Sequence, residues 1–249
     1  MKTVRAFEPG GYRYIEGVMQ YSGGVAAEPG FAIERARFRR PLPLAEGFKV
    51  AEHYLEDIDR PPLAFCACEL RSPAPFSEAG FSSFNRAYVG FLERMGILRD
   101  GVNPVARTNV CPGVDPPAEV VMYAFSYTVP SESTVPSFII AGSGEAREGG
   151  ASYQESVVAL GDASEEGLRA KVRFVTGEME ERMVSLGVDW SDAVSTQAYT
   201  VRDIGPLLRQ EFVERGATPG GLEWHFSMPP VENLEFEMDV RGATCDRHI

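Results

Sequence analysis

The sequence predicts an α+β fold built from two successive units, each a mixed sheet with two helices on one face. Three observations predict it. One order of periodicities, strands then helix, strand, helix and two strands, occurs twice along the chain. The helical stretches are amphipathic and so have one face to bury, which suits helices layered on a sheet. At 249 residues and 44% hydrophobic content, the chain can supply two cores of roughly 120 residues each.

In the first unit, Tyr12 to Ser22 and Phe31 to Phe38 read as strands. Phe48, Ala51, Leu55 and Ile58 then mark a helix stopped by Pro61 and Pro62. Leu63 to Leu70 is a strand on which Cys66 and Cys68 share a face. Phe81, Phe84, Tyr88, Phe91 and Met95 step by three and four along a second helix closed by Gly96. Pro104 to Val110 and Val120 to Phe125 form the closing hairpin, and Val129 to Pro136 has linker composition. The unit boundaries are therefore 1–130 and 136–249.

The second unit opens with Phe138 to Ala141 and Tyr153 to Leu160 as candidate strands. Its clearest element is a helix capped by Ser164, with Glu165 and Glu166 in the first turn. A stripe of Leu168, Val172, Val175, Met179, Met183 and Leu186 follows, and Gly187 ends it. Trp190 to Thr200 alternates as a strand, and Asp203 caps a shorter helix through Phe212 to Gly216. The last strand runs through Leu234 to Val240, where Glu235, Glu237 and Asp239 fall on one face.

A net charge of -12 opposes binding to nucleic acid or anionic membrane, so the expected partner is a small anion drawn to a local cationic pocket. No apolar run approaches the roughly 18 residues of a membrane helix, and a soluble, cytoplasmic protein is expected. Cys66, Cys68, Cys111 and Cys245 read as reduced thiols; His53, His225 and His248 stand singly, so neither a metal site nor a cofactor is expected. The glycines at 142, 144, 149 and 150 lack the dinucleotide spacing and no helix starts at their end, which argues against a phosphate loop.

The run Pro104-Val105-Ala106-Arg107-Thr108-Asn109-Val110 resembles the Pro-x-x-Arg-Ser/Thr-x-Val strand of the reactive-intermediate deaminase (Rid) family. Phe84-Asn85-Arg86-Ala87-Tyr88 is similar to a stretch of that family's helix, and Tyr21-Ser22-Gly23 and Ala141 to Gly144 resemble its Val-Ser-Gly turn. Met228-Pro229-Pro230 and Leu234 to Glu237 align with its last turn and strand. The resemblance implies two tandem chorismate-mutase-like domains. It also implies a homo-oligomer, with a trimer favoured, because the family's domains associate in threes around clefts between neighbours. On overall similarity, the tandem form is most similar to the 2-aminomuconate deaminases of aromatic degradation, including those for chlorinated 2-aminomuconate.

In that family the arginine grips a substrate carboxylate, and a glutamate fifteen residues later positions the water that expels ammonia. Here position 122 is Met, and fifteen residues before Glu235 stands Gly220. One unit keeps the arginine and the other keeps the glutamate. Arg107, Thr108, Asn109 and Trp224 are thus the candidate substrate-binding residues and Glu235 the candidate catalytic acid. A guanidinium fork matches a carboxylate, and a buried carboxyl can exchange a proton with water. The implied reaction is cofactor-free hydrolytic deamination of a carboxylate-bearing enamine or imine. A chorismatase-like hydrolase on the same fold and a non-catalytic metabolite-binding module are the alternatives.

Overall fold

A computed structural model describes residues 1–98, 101–147 and 153–249. Its first half contains β1 (Val4–Phe7), β2 (Tyr12–Ile15), β3 (Gly24–Ala27), β4 (Phe31–Pro43), α1 (Leu44–Asp57), β5 (Phe65–Arg71), α2 (Glu78–Arg94), β6 (Ala106–Pro112) and β7 (Val121–Pro130). The second half contains β8 (Phe138–Gly144), α3 (Tyr153–Ser156), α4 (Glu165–Leu186), β9 (Ser195–Tyr199), β10 (Leu222–His225), β11 (Ser227–Met228), β12 (Glu237–Arg241) and β13 (Cys245–His248).

The strands make two mixed sheets, a seven-stranded one in the order β1-β2-β3-β8-β12-β9-β10 and a six-stranded one in the order β11-β6-β5-β7-β4-β13. Within them one strand order recurs: β6-β5-β7-β4 in one sheet and β10-β9-β12-β8 in the other. The pairs β5/β6 and β9/β10 are parallel, and the remaining contacts of both quartets are antiparallel. The halves also exchange edges. Strand β3 from the first half pairs with β8, while β13 from the C-terminus pairs with β4.

Helix α4 starts where the Ser164 side chain accepts the Gly167 N–H at 3.1 Å, and it ends at Gly187, whose φ of 77° is open to glycine. Its stripe of Val172, Val175, Met179 and Met183 packs on Phe138, Ile140 and Met238 of the seven-stranded sheet. Helices α1 and α2 cover the six-stranded sheet in the same way, with Phe48, Leu55, Tyr88 and Leu92 against Phe65 and Phe125. The uncovered sheet faces meet through Tyr12, Tyr14, Val25, Ile33, Ala67, Ala106 and Ile139. The result is four layers, helix, sheet, sheet, helix. No helix among the described residues is long and apolar enough to cross a membrane.

Several local expectations differ from the structure. Residues 153–156 form one helical turn, after which Val157 makes an isolated bridge to Ala146. Trp190 belongs to a 3-10 turn closed by reciprocal Asp189 and Asp192 caps, so the strand begins at Ser195. In place of a regular helix from Asp203 the chain takes a 3-10 turn at Gly205–Leu207 and a π turn at Arg209–Val213; Gly205 and Pro206 are both poor helix formers. A register shift between Phe65 and Ala67 places Cys66 between the sheets and Cys68 under the helices. The four cysteines are free, and burial pushes the Cys68 thiol up to about 12, which suppresses its reactivity.

Candidate active site

Arg107 is carried by β6, which lies between β5 and the short edge strand β11. Its side chain is only 4% exposed, and among the described residues it has no salt-bridge partner; Nη1 is buried without a hydrogen bond. Four aromatic rings surround the guanidinium, with centroids 4.7 Å (Tyr88), 5.1 Å (Tyr21), 5.4 Å (Phe84) and 5.6 Å (Phe81) away. Ring faces stabilise a cation without neutralising it. Beside it Asn109 uses Oδ1 to accept the Ser72 hydroxyl at 3.0 Å, leaving Nδ2 buried and unpartnered. Arg107 and Asn109 line one cavity of about 110 Å³. Two buried donors without acceptors, one of them cationic, make a strong anion site, because leaving such groups unpaired is costly.

The opposite wall comes from the other sheet. Glu237 on β12, Ser143 on β8 and Arg182 on α4 line the same cavity. Burial first, and then the Asp239 carboxylate, push the Glu237 carboxyl well above its ordinary value, while Arg107 draws it partly back. Glycine is required at position 142, where a Cβ would collide with the Glu237 carboxyl and lie 3.1 Å from the Thr108 methyl group. Arg182 donates from Nη1 to the Ala141 carbonyl at 3.1 Å and stands 3.8 Å from Glu178. The cavity therefore joins two guanidiniums to a carboxyl that favours its protonated form, an arrangement able to hold an anion and move a proton.

Comparison with known proteins fixes the chain's kinship. The family model described as 2-aminomuconate deaminase CnbZ matches residues 4–247. This chain belongs to that family. It is 59% identical over 245 residues, 98% of both chains, to a 2-amino-5-chloromuconate deaminase of Comamonas testosteroni. A crystal structure of a chorismatase aligns over 91% of this chain and 78% of its own, with a TM-score of 0.49 and 13% identity. The chain is accordingly an enzyme acting on a carbon–nitrogen bond.

Of the residues singled out in the sequence, Arg107 and Asn109 come together in the cavity, and Thr108 lies behind it against Gly142. Glu235 and Trp224 stand elsewhere. Trp224 is 42% exposed on β10 and donates to the Thr200 carbonyl at 3.1 Å. Glu235 precedes the ladder of β12: its N–H and that of Phe236 donate to the Glu145 carboxylate at 2.6 and 3.1 Å. That detour breaks the alternation that would have aligned Glu235 with Glu237. The Glu235 side chain instead pairs with Lys171 and Arg202. Burial acts to raise its pKa, but those two cations outweigh it and the carboxyl is lowered. Glycines 142 and 144 line the cavity as part of β8, whereas 149 and 150 lie outside the described residues.

Two consequences concern stability. Lys171 is fully buried, so Glu235→Gln, which removes the carboxylate its ammonium is paired with, should cost on the order of 1–3 kcal/mol in urea unfolding. The pH dependence has two arms. Burial raises Glu145 to about 7 and also raises Glu237, so the native protein retains protons that the unfolded chain has lost above roughly pH 4. Stability should fall as pH rises from there through about 7. On the acid side, burial acts to raise Glu69, but Arg241 and Arg35 outweigh it and hold it at about 2. Its contribution is complete above roughly pH 4 and is lost as pH falls toward 2. Thermal melts across this range should peak on the acidic side of neutrality, and a flat profile from pH 4 to 8 would contradict these assignments.

Proposed function

We propose that this enzyme hydrolyses the amino group from 2-aminomuconate or a chlorinated analogue, giving the 2-oxo acid and ammonia in aromatic-compound degradation, within the cavity between the two sheets. The observation that carries the reading is the unpaired, aromatic-walled Arg107 sharing that cavity with the buried Glu237 carboxyl. Arg107 and Asn109 bind the carboxylate next to the amine-bearing carbon. Arg182, on the facing side, is the cation for the second carboxylate, so that a conjugated diacid spans the cleft.

Glu237 then acts as the proton carrier. Its carboxyl protonates C3 of the enamine, forming a C–H bond and leaving C2 as an electrophilic iminium. The resulting carboxylate takes a proton from water as the water oxygen bonds to C2. Transfer of that proton to nitrogen allows the C–N bond to break; ammonia leaves as the remaining hydroxyl proton passes to the Glu237 carboxylate and C2 becomes a carbonyl. Glu237 alternates between acid and carboxylate and ends the cycle protonated, as general acid–base catalysis requires. The repeated strand order supports reading the chain as two Rid-like copies, 1–130 and 136–249, with the arginine from the first and the acid from the second.

The direct test is ammonia release from 2-aminomuconate, with 2-aminoacrylate as the small monocarboxylate comparison. Turnover should favour the diacid by well over tenfold in kcat/KM, and Arg182→Gln should erase most of that preference. Binding of 2-aminomuconate without ammonia release would return the protein to a metabolite-binding role.

A further inference from the structure

We propose that the chain carries a second, non-catalytic binding site for small carboxylates, centred on Arg71. It lies in a cavity of about 330 Å³ that shares no lining residue with the Arg107 cavity. Its position follows from the repeated topology. The first cavity draws on β6, β8 and β12, whose counterparts in the matching strand order are β10, β4 and β7. All three counterparts line the second cavity, through His225, through Arg35 and Arg37, and through Tyr123.

Four guanidiniums face this space, and they are not equivalent. Arg35 is fixed by Glu69 at 2.6 and 3.0 Å and by Asp246 at 2.7 Å. Arg241 is fixed by Glu69 and Asp239, each at 3.0 Å. Those two cations are neutralised within the protein. Arg71 is different: it is 9% exposed, and among the described residues it donates one hydrogen bond, from Nη1 to the Leu70 carbonyl at 2.9 Å. The nearest carboxylate oxygen, on Glu69, is 3.9 Å away and already committed to Arg35 and Arg241. The Arg71 guanidinium lies 4.2 Å from the Tyr123 ring centroid and 5.9 Å from that of Tyr199. Like Arg107, it is a cation held by ring faces beside open space.

The rest of the cavity suits a planar carboxylate. Arg37 donates to the Tyr123 hydroxyl at 3.2 Å and adds a second cation at the wall. His225 stacks on Tyr199 with centroids 4.9 Å apart, and its Nε2 is buried without a hydrogen bond, 3.8 Å from the Glu223 carboxylate. A guanidinium fork with a neighbouring cation matches a carboxylate better than a neutral ligand. Catalysis is not expected there, because the carboxylates that line the cavity are engaged: Asp246 pairs with Arg35, and Glu223 accepts hydrogen bonds from Ser195 and Gln197.

The test uses the intact protein and cis,cis-muconate, a six-carbon dicarboxylate that lacks the amino group and so is not consumed. Crystals soaked at saturating muconate should show it against Arg71. In calorimetric titrations Arg71→Met and Tyr123→Leu should each weaken this binding step by at least tenfold, while Arg107→Ala leaves it in place. Tyr123→Leu removes the ring but keeps every Glu69 salt bridge, so it decides the matter if Arg71→Met fails to fold. An empty cavity in the soaked crystals, or unchanged titrations in Tyr123→Leu, would overturn the proposal. Either result leaves the Arg107 site standing, because that site is read separately through Arg107→Ala.

Discussion

Arg107→Ala should raise KM for 2-aminomuconate by roughly 10- to 150-fold. That range follows from about 1.5–3 kcal/mol for a charge-assisted hydrogen-bonded pair. Desolvation places the effect toward the upper end, since the side chain is 4% exposed and has no competing protein anion among the described residues. Arg107→Lys should recover only part of the loss. An ammonium keeps the charge but not the planar fork, and it would sit less well among Tyr21, Phe81, Phe84 and Tyr88. The alanine variant should also be no less stable than the parent, because it removes a buried, unpaired charge. Steady-state kinetics together with a melting curve checks both parts. A large stability loss with unchanged KM would make Arg107 a structural residue.

The largest effect on turnover is expected at Glu237. Glu237→Gln keeps the size of the side chain but cannot exchange a proton, so kcat should fall by roughly 10²-fold or more with little change in KM. The same substitution should stabilise the fold at neutral and alkaline pH. Burial and Asp239 oppose ionisation of Glu237, and a neutral amide removes the cost of ionising a group whose pKa the fold has raised. Loss of activity accompanied by a higher melting temperature separates a proton-carrying carboxyl from one that merely supports packing. A lower melting temperature at pH 8 would count against the assignment.

Much of this architecture was legible in the sequence because it rests on periodicity. The α4 stripe, its Ser164 cap and its Gly187 stop are local signals, and the structure places them as the spacing requires. Arg107 was singled out for another reason: the run Pro104 to Val110 resembles the arginine strand of the Rid family. Glu237 was in view as one of three alternating acids, yet alternation could not select it. The selection depends on Glu145, ninety residues earlier in the chain, whose carboxylate takes the N–H groups of Glu235 and Phe236 and turns Glu235 toward Lys171. Arg182 was hidden for a similar reason. On a helix it reads as a polar residue beside the Met179 and Met183 stripe, and only the packing of α4 on β8 brings it to the cavity. The edge exchange that joins β3 to β8 and β13 to β4 is likewise a long-range pairing without a local signature.

The central claim is that an arginine from one sheet and Glu237 from the other form a single catalytic cleft. It is tested most directly by measuring ammonia release from 2-aminomuconate for Glu237→Gln and Glu235→Gln side by side, at saturating substrate and a temperature at which both variants are folded. The account predicts that Glu237→Gln loses roughly 10²-fold or more in kcat while Glu235→Gln stays within about threefold of the parent. Full activity in Glu237→Gln, with the loss falling on Glu235→Gln, would contradict it.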